Sequence, residues 1–502
     1  MQLIGIDIGT TSLKVALFST EGALLASAHR EHDIQSPGPG QAELDTWVVW
    51  DNIKEAIRQV TAVAPAGQIQ ALAVSSMGEA VVPVSADRRI LGPSILNFDV
   101  RGEEFLPELA RKLPDAYLYA ANGNTLGNHY SLTKLKWIQK HQPALYEETD
   151  KFLHWSGFVS TMLGAEPAVD YSLGNRSLLF DLGKEDWSDD LLRAARLDRE
   201  KLPRTVPSGT EIGRVPASVA ADLGLPEGLP IIAGAHDQNA NAVGCGVIDA
   251  GSAVYGMGTF QCITPVFASP PAARLMLDRG LNTEHHAVPG RFVCFIYNQG
   301  GSLVKWYRDT FAAKEHEQAQ KEGLSVYADL FAELPEGPGE VMVLPHFTTT
   351  GPPDFIADSA GLIAGLHLDT SRGAILRGII EGVAYYLKEV VDALPGTGIE
   401  IGDFRAAGGG SQSDAWVQTC ADIFARPITR PLINEAGAFG AAIIAGVGAG
   451  TFDSYEQAVS EMVTLERTFE PDPGRHARYM ERYAQYRRVW PLTADFLRDI
   501  AA

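Results

Sequence analysis

The chain has 502 residues, more than one ordinary hydrophobic core accommodates, so two domains are the first expectation. Hydrophobic residues make up 45% and charged residues 21% of the sequence, which is typical of a globular protein rather than of a disordered or membrane-spanning one. The 62 acidic residues outnumber the 41 basic ones, and a net charge of -21 argues against nucleic acid as a partner because phosphate backbones are repelled.

The cysteine pattern and the N-terminal sequence bear on the compartment. The four cysteines form no CxxC pair, which favours free thiols in a reducing environment. The chain enters an apolar run at once, without the basic region or the small-residue cleavage site of a signal peptide. No apolar stretch of the sequence approaches the length of a membrane span. We therefore expect a cytoplasmic protein that does not bind membranes.

The first half of the chain alternates strand and helix patterns after an opening hairpin. Asp45 is predicted to cap a helix over residues 46–62, and helical patterns recur between the later strands. Apolar and β-branched runs predict strands at residues 3–8, 13–18, 24–29, 69–75, 81–84 and 229–233. This alternation indicates an α/β fold.

The second half repeats the scheme, beginning with a short strand, a glycine turn and a returning strand. Strands are predicted at residues 253–255, 260–266, 340–344 and 403–407. Helices are predicted at residues 371–394, 414–424, 437–447 and 474–499. We therefore predict two similar α/β domains that face each other, at residues 1–245 and 246–470. A helical tail, residues 471–502, is expected to pack back on the first domain.

A small polar turn joins the first two predicted strands and contains Gly9, Thr10, Thr11 and Ser12. Glycine lets the backbone approach a bulky anion, and the exposed N–H groups of such a turn form an anion-binding concavity. Asp7, just before the turn, could hold a hydrated Mg²⁺ ion. The turn therefore indicates a phosphate site, although an ordinary glycine-containing hairpin has a similar composition.

A second turn of the same kind lies about half a chain later and contains Gly256, Gly258 and Thr259. Two such loops, one from each domain, could clamp one polyphosphate between them. Neither loop is a Walker A sequence, because no Gly-Lys-Ser/Thr follows, and no GxGxxG links a strand to a helix here. The pair of turns therefore predicts a nucleotide site of another kind.

Asp237 follows a predicted strand and lies close to the crossover between the two halves. A carboxylate at that position in an interdomain cleft could accept the proton of an alcohol that attacks a γ-phosphate. His236 and Gln238 beside it supply hydrogen-bonding groups. The alternative is that Asp237 caps a helix, because aspartate is favoured at that position as well.

Three glycines, Gly408, Gly409 and Gly410, lie between a predicted strand and a predicted helix and precede Gln412 and Ser413. They permit flat packing against a planar group, while the helix N-terminus favours negative charge. This arrangement suits the adenosine end of ATP. A flexible surface loop is the alternative, which the flanking strand and helix disfavour.

Together these four elements resemble the FGGY family of carbohydrate kinases over nearly the whole chain. Two further stretches, residues 376–382 and 435–442, are also similar to the family. The resemblance implies two actin-like (ribonuclease H-like) domains with an ATP cleft between them, and Mg²⁺ as the metal. It implies that Asp237 is the general base, that the two turns hold phosphates, and that residues 408–421 bind adenosine.

The segment that contacts the sugar departs from the family's usual patterns. Xylulokinases carry Met-His and glycerol kinases carry Arg-Glu near its end, whereas this chain has Gly78 and Glu79 after Met77. Glu79 could accept hydrogen bonds from two sugar hydroxyls, and the charge of the acceptor strengthens such bonds. A solvated carboxylate at a strand end is the alternative.

A second departure concerns Asp99 and Arg101, which lie in a segment similar to the family's W-x-D-x-R but with Asn97 and Phe98 in place of the usual tryptophan pattern. Both residues are candidates for sugar contact or for a local ion pair. Residues 351–354 also replace a Gly-Glu-Arg-Thr-Pro segment of the family. These changes leave the phosphoryl-transfer motifs intact and the sugar undetermined.

The resemblance therefore implies an ATP-dependent kinase that phosphorylates a hydroxyl of a small sugar or polyol. A ketopentose such as D-xylulose is the first expectation. Another polyol, a sugar acid, a signalling sugar, or a non-kinase ATPase activity on the same fold are the alternatives. A homodimer is expected.

Overall fold

Two large β-sheets organise the computed structural model, which describes residues 1–64, 67–433 and 435–501. In the first half, strands β1 to β14 span Gln2–Ile8, Ser12–Ser19, Leu24–Glu31, Glu43–Leu44, Ile69–Ser76, Val81–Val84, Ser94–Ile95, Lys151–His154, Ala168–Asp170, Phe180–Asp181, Asp186–Trp187, Arg204–Val206, Glu211–Arg214 and Pro230–His236. Helices α1 to α10 span Thr46–Thr61, Leu106–Lys112, Asp115–Asn122, Ser131–His141, Pro143–Glu148, Trp155–Met162, Tyr171–Asn175, Asp189–Ala195, Ala217–Leu223 and Asp237–Gly244.

The second half has the same mixture of strands and helices. Strands β15 to β24 span Ser252–Met257, Phe260–Phe267, Glu284–His285, Phe292–Val293, Ile296–Gln299, Met342–Leu344, Leu362–Ala364, Asp403–Ala407, Ile428–Pro431 and Leu465–Phe469. Helices α11 to α20 span Ala273–Leu277, Gly301–Phe311, Ala313–Lys321, Tyr327–Ala332, Arg372–Ala393, Asp414–Phe424, Ala436–Gly448, Tyr455–Met462, Pro473–Tyr486 and Val489–Ala501. Among the described residues, no helix is both long and apolar enough to cross a bilayer.

The first sheet has the strand order β13–β14–β5–β1–β2–β3. β1, β5 and β14 are parallel neighbours, while β1–β2 and β2–β3 are antiparallel pairs. Alternate residues of β1 face opposite sides of the sheet: Ile4, Ile6 and Ile8 pack in one buried cluster with α1, and Leu3 packs in another with α17. Helices therefore cover both faces, as strands that are apolar throughout require.

The second sheet has the order β17–β18–β16–β15–β22–β23–β24, and β19 also pairs with β16. β15, β22 and β23 are parallel neighbours, while β15–β16 and β23–β24 are antiparallel pairs. Each sheet thus runs from an antiparallel edge strand through three parallel strands to a hairpin, in the same order. The chain consists of two similar actin-like α/β domains, and the predicted fold class is confirmed.

The predicted elements agree closely with the observed ones, with one difference that concerns the site. The strand at residues 403–407 and the helix at residues 414–424 have the predicted bounds. The strand predicted to end at residue 233 continues to His236, because β14 resumes its pairing with β5 after an irregularity that follows Ile232. Asp237 therefore comes directly after the strand.

Helix α17 joins the two halves. It follows β23 of the second sheet, but it packs against β1 and β5 of the first sheet and against α10. A Cβ on Gly5 would lie 1.7 Å from the carbonyl oxygen of Ala438, so the helix backbone rests directly on the strand. The predicted second domain, residues 246–470, thus contains a helix that packs in the core of the first sheet, and the predicted boundaries stay a prediction.

The C-terminal helices α19 and α20 pack on the second half of the chain. Tyr479, Tyr483, Tyr486 and Leu497 belong to the buried cluster that surrounds α15 and α16. The expectation that the tail packs back on the first domain is therefore wrong. An apolar helix face must be buried, but its pattern does not specify which of two cores buries it.

Candidate active site

The carboxyl ends of three parallel strands bring most of the predicted first-domain site together. Ile8 of β1 and His236 of β14 both pair with Ser76 of β5, so the three strands end level with one another. The residues that follow these ends meet at one edge of the sheet, which is where open α/β sheets bind ligands. They are Gly9, Thr10, Met77, Gly78, Glu79 and Asp237.

The β1–β2 turn is a tight hairpin with an exposed tip. The Gly9 N–H donates to the Ser12 carbonyl at 2.8 Å, and the Thr10 hydroxyl lies 3.9 Å from the Met77 sulfur. Thr11 is exposed to solvent. The turn thus places the predicted phosphate contacts directly beside the predicted acceptor loop.

Asp7 lies on the face of β1 that α17 covers. The Ser75 hydroxyl donates to Asp7 Oδ1 at 2.8 Å. Lys14, the cross-strand neighbour of Asp7, forms an ion pair with Glu435. Burial raises the pKa of Asp7 to about 6, although the Ser75 hydrogen bond and Lys14 act in the opposite direction.

Asp237 is the first residue of α10, and the cap position of that helix is His236. The helix-cap interpretation of Asp237 is therefore not supported. Burial in the cleft and the nearby charge of Asp7 raise the pKa of Asp237 to about 7. His236 Nε2 lies 3.1 Å from Asp237 Oδ1, and burial lowers the pKa of this imidazole to about 3, so it is neutral near pH 7. Gln238, in the same turn, is half-buried.

Asp7 and Asp237 together suit a magnesium ion that is shared with phosphates. The charge of Asp7 disfavours ionisation of Asp237, and a cation between them would offset both carboxylates. The described residues contain no group of three or more His, Cys, Asp or Glu side chains that could hold a metal on their own. Mg²⁺ is usually bound by one or two carboxylates plus substrate phosphates, which is the donor set offered here.

Asp237 lies where the two halves of the chain meet. The Phe295 ring is 5.7 Å from the His236 ring. Burial raises the pKa of Cys262, in β16 of the second sheet, to about 11, and the charge of Asp237 adds to this shift. The second hairpin therefore approaches the edge of the first sheet at Asp237.

The second glycine turn and the three-glycine run are neighbours at the edge of the second sheet. β15 and β22 are parallel, with Gly256 opposite Ala407, so both strands end at the same edge. Gly408 has a φ of +86°, and a Cβ there would lie 3.1 Å from the backbone of Met257, so the position requires glycine. Gly258 thus lies beside the predicted adenosine loop.

The three-glycine run is a structured connection between β22 and α16. A 3₁₀ turn spans Gly409–Gln412, and Ser413 caps α16 by accepting from the Trp416 N–H at 3.3 Å. Gly409 is exposed, as is Thr259 of the neighbouring turn. A Cβ on Gly409 would meet nothing within 4 Å. The surface beside Gly409 therefore has room for a planar ligand.

Gly409→Val is expected to raise the KM for ATP at least about fivefold, because overpacking a contact surface costs about 1–3 kcal/mol. The fold is expected to remain intact, since a Cβ at this position meets no protein atom within 4 Å. Gly183→Val is the matched control, because Gly183 is also exposed and a Cβ there meets only Asp181, at 3.7 Å. Steady-state kinetics with varied ATP provide the measurement, and an unchanged KM in the Gly409 variant would remove the adenosine assignment.

Glu79 is buried, with 6% of its surface exposed. Two nitrogens of Arg176 donate to Glu79 Oε1, Nε at 2.9 Å and Nη2 more closely, and Asn97 donates to Oε2 at 3.3 Å. Burial would raise the pKa of Glu79, but the Arg176 guanidinium outweighs it and holds the pKa at about 2. The alternative of a solvated carboxylate is therefore wrong, and Glu79 is a buried, ionised group.

Sequence reasoning missed the side chains that surround Glu79. Arg176 also donates to Glu284, at 2.6 Å. Burial lowers the pKa of His129 and His154 to about 4, so both imidazoles are neutral near pH 7. Arg176 is 97 positions from Glu79 along the chain, and none of these residues belongs to one of the motifs described above, so no local signal identifies them.

Asp99 and Arg101 form the local ion pair that was the alternative to sugar contact. Arg101 donates to Asp99 at 2.7–3.0 Å through its side chain and to Glu43 at 2.8 Å, and both members of the pair are buried. Asp99 also accepts from the Ala42 N–H at 2.5 Å. With these groups paired inside the protein, the geometry supports the ion pair rather than a contact with the sugar.

Comparisons with known sequences identify the family of the chain. Sequence models of the FGGY family of carbohydrate kinases match the chain in two blocks, the N-terminal domain at residues 2–244 and the C-terminal domain at residues 282–449. The xylulose kinase of Escherichia coli strain K12 is 27% identical over 97% of this chain and 98% of its own length. An autoinducer-2 kinase of Yersinia pestis (biovar Antiqua, strain Angola) is 28% identical over 97% of this chain and 94% of its own length.

A comparison with solved structures gives the same result. The crystal structure of xylulose kinase from Rhodospirillum rubrum matches with a TM-score of 0.88 and 28% identity, covering 99% of this chain and 100% of that one. The match extends over both sheets and the connecting helices, so it is a likeness of the whole chain. The chain therefore belongs to the FGGY family of carbohydrate kinases, which transfer a phosphoryl group from ATP to an alcohol group of a sugar.

Proposed function

We propose that this kinase transfers the γ-phosphate of ATP to a hydroxyl of a small, uncharged sugar, with a ketopentose such as D-xylulose as the first candidate. The observation that carries this proposal is the charge balance beside Glu79. The Arg176 guanidinium is bound to two carboxylates, Glu79 and Glu284, so its positive charge is more than offset. The proposed acceptor site beside Glu79 is therefore net negative.

A sugar acid would bring a further carboxylate into this site. Burial keeps the histidines nearest Glu79 neutral near pH 7. The ammonium group of Lys134, another cation near Glu79, is held by two backbone carbonyls, at 2.6 and 2.8 Å. An anionic acceptor would be repelled, whereas carboxylates and neutral imidazoles suit the hydroxyls of an uncharged sugar.

The names of two of the relatives support a small sugar as the acceptor. The proteins from Escherichia coli and Rhodospirillum rubrum are named for xylulose, and the protein from Yersinia pestis for autoinducer-2. Xylulose is an uncharged ketopentose, which agrees with the charge balance of the site.

In the proposed mechanism, Asp237 accepts the proton of the attacking hydroxyl while Glu79 orients the acceptor beside it. The turns at Thr10 and Thr259 donate to the phosphates of ATP. Mg²⁺ bound at Asp7 would neutralise charge on the β- and γ-phosphates. Positioning and electrostatics supply most of the rate enhancement in such a reaction, and closure of the cleft suppresses hydrolysis of ATP by excluding water.

A panel of acceptors tests this proposal. Uncharged ketoses and polyols are expected to give kcat/KM values at least about tenfold above those of acids with the same carbon skeleton, such as D-xylulose against D-xylonate. Like charges about 4 Å apart repel by about 1–4 kcal/mol, depending on the surrounding dielectric. ADP release in a coupled assay is the readout, with ADP release in the absence of an acceptor as the control. A sugar acid as the best acceptor, or ADP release that no acceptor stimulates, would contradict the proposal.

A further inference from the structure

We propose that Arg176 binds the acceptor directly, as a second specificity residue beside Glu79, and that Glu284 from the second half of the chain holds it in place. The inference rests on the proposed function, because it takes the acceptor to be an uncharged sugar bound beside Glu79. The proposed acceptor site then contains residues from both halves of the chain.

The Arg176 guanidinium is fixed on three sides. Its Nε donates to Glu79 at 2.9 Å, and Nη2 approaches the same carboxylate oxygen more closely. Its Nη1 donates to Glu284 at 2.6 Å, and the guanidinium carbon lies 5.1 Å from the centre of the Tyr130 ring. An arginine held between two carboxylates over an aromatic ring has little freedom to lose, so it is pre-organised to bind a ligand.

Two of the five N–H groups of Arg176 are left for a ligand. The described residues accept three of them, one from each nitrogen, and the side chain keeps 13% of its surface exposed. A sugar hydroxyl can accept from an N–H and donate to a carboxylate at the same time. Arg176 beside Glu79 therefore suits two adjacent hydroxyls, or a hydroxyl next to the carbonyl of a ketose.

Gly78 leaves the space that Arg176 occupies. A Cβ on Gly78 would lie 3.3 Å from both Cγ and Nε of Arg176, and 3.3 Å from Nε2 of His236. A larger side chain at position 78 would collide with Arg176. His236 in turn lies 3.1 Å from the Asp237 carboxylate, so the guanidinium is one side chain away from the proposed base. The Arg176 guanidinium and a larger side chain at position 78 would therefore exclude each other sterically.

Glu284 reaches this site from the edge strand β17 of the second sheet and is fully buried. Its Oε1 accepts from Arg176 and, at 2.8 Å, from Asn282. The N–H of His285 donates to Asn175 Oδ1 at 3.1 Å, which ties the same strand to the residue before Arg176. Glu284 Oε2 is buried and has no hydrogen-bond partner within the described ranges. Glu284 therefore holds Arg176 through one oxygen, from inside the protein.

Variants that remove the guanidinium at position 176 or introduce one at position 78 test the proposal. Their steady-state kinetics are measured with the best uncharged acceptor of the panel. Arg176→Ala is expected to raise the acceptor KM at least about tenfold, because the acceptor loses a charged partner. The KM for ATP is expected to stay within about twofold, because the predicted adenosine contacts lie on the second sheet. Gly78→Arg alone is expected to raise the acceptor KM similarly, since the new side chain collides with Arg176. The double variant Gly78→Arg/Arg176→Ala carries the guanidinium at position 78 instead of position 176. Its acceptor KM is expected to recover at least about half of the increase seen in Arg176→Ala, on a logarithmic scale, because the two positions are coupled.

Glu284→Gln tests the positioning role while the guanidinium stays in the site. The amide keeps the shape and one acceptor oxygen, so the variant is expected to fold, with an acceptor KM raised about three- to tenfold and a smaller change in kcat. Arg372→Ala is the matched control for Arg176→Ala, because Arg372, at the start of α15, also bridges two carboxylates, Glu315 of α13 and Glu333 just after α14. This control is expected to keep both KM values.

The outcomes separate the inference from the proposed function. If the wild-type enzyme phosphorylates an uncharged sugar, and Arg176→Ala and Glu284→Gln both keep its acceptor KM, Arg176 is only structural and the inference is overturned while the proposed function stands. A wild-type enzyme that phosphorylates no uncharged sugar overturns the proposed function before any variant is made. If Arg176→Ala does not fold, as judged by thermal melting, an unchanged acceptor KM in Glu284→Gln overturns the inference.

Discussion

Asp237→Asn is expected to lower kcat on the best acceptor by about 10²–10⁴-fold, the usual contribution of a general base. An alcohol has a high pKa, so its proton leaves late, as the bond to phosphorus develops, and a carboxylate within reach must take it. Asparagine keeps the shape of the side chain but cannot accept the proton. The KM for ATP is expected to change little, because the predicted adenosine contacts lie on the second sheet. Steady-state kinetics with both substrates varied check this result.

Asp45→Asn is the matched control for this substitution. Asp45 caps α1 and accepts from the N–H groups of Trp47 and Val48, both at 3.1 Å. Asparagine caps a helix nearly as well as aspartate, so this variant is expected to keep both activity and stability. If Asp237→Asn likewise retains more than about a tenth of the wild-type kcat, Asp237 is not the base.

The pH dependence of the enzyme follows from the same carboxylate. Burial and the charge of Asp7 raise the pKa of Asp237 to about 7 in the metal-free protein, and Mg²⁺ at Asp7 would offset part of this shift. A base must be ionised, so kcat/KM for the acceptor is expected to rise with pH, to be level above about 7, and to have its midpoint at or below that pH. The free energy of unfolding changes with pH in the opposite direction. A carboxyl whose folded-state pKa is raised stabilises the protein at low pH, and this contribution is lost as pH rises from the ordinary aspartate pKa of 3.8 through about 7. Asp237→Asn is therefore expected to be more resistant to urea than the wild type at pH 8.

Glu79→Ala is expected to lower kcat/KM for the acceptor by between about tenfold and about 150-fold. This range corresponds to the loss of a charged hydrogen-bond partner, about 1.5–3 kcal/mol. The KM for ATP is expected to change little. The variant also loses stability, because removing one member of a buried ion pair costs up to about 3–5 kcal/mol, and Arg176 keeps only Glu284 as a partner. Acceptor kinetics and urea unfolding together measure both effects.

Glu43→Ala separates the two effects of the Glu79 substitution. Glu43 pairs with Arg101 at 2.8 Å, and after its removal Arg101 still holds Asp99, just as Arg176 would still hold Glu284. This control is expected to lose stability without a change in acceptor kinetics. If Glu79→Ala had no lower kcat/KM for the acceptor than Glu43→Ala, Glu79 would act on stability alone.

Local sequence determined the elements that present the predicted site residues. The two strand–turn–strand hairpins, the Asp45 cap of α1, and the strand, glycine run and helix at residues 403–424 all follow from turn chemistry, capping and apolar runs. Asp7, Asp237 and Gly408 are predicted site residues because they lie at or just beyond strand ends, where ligands of α/β proteins bind. These signals extend over a few neighbouring residues, so a single sequence contains them.

The surroundings of Glu79 and the packing of the helices were decided only by the tertiary structure. Arg176 meets Glu79 across 97 positions of the chain, which depends on the tertiary packing of the first half. It meets Glu284 across 108 positions, which depends on how the two halves are placed relative to each other. The same holds for α17, which leaves the second sheet to cover the first, and for the C-terminal helices, which pack on the second core and not on the first. An amphipathic pattern specifies that a face is buried, and a charged residue requires a partner, but neither specifies which distant residue provides the contact.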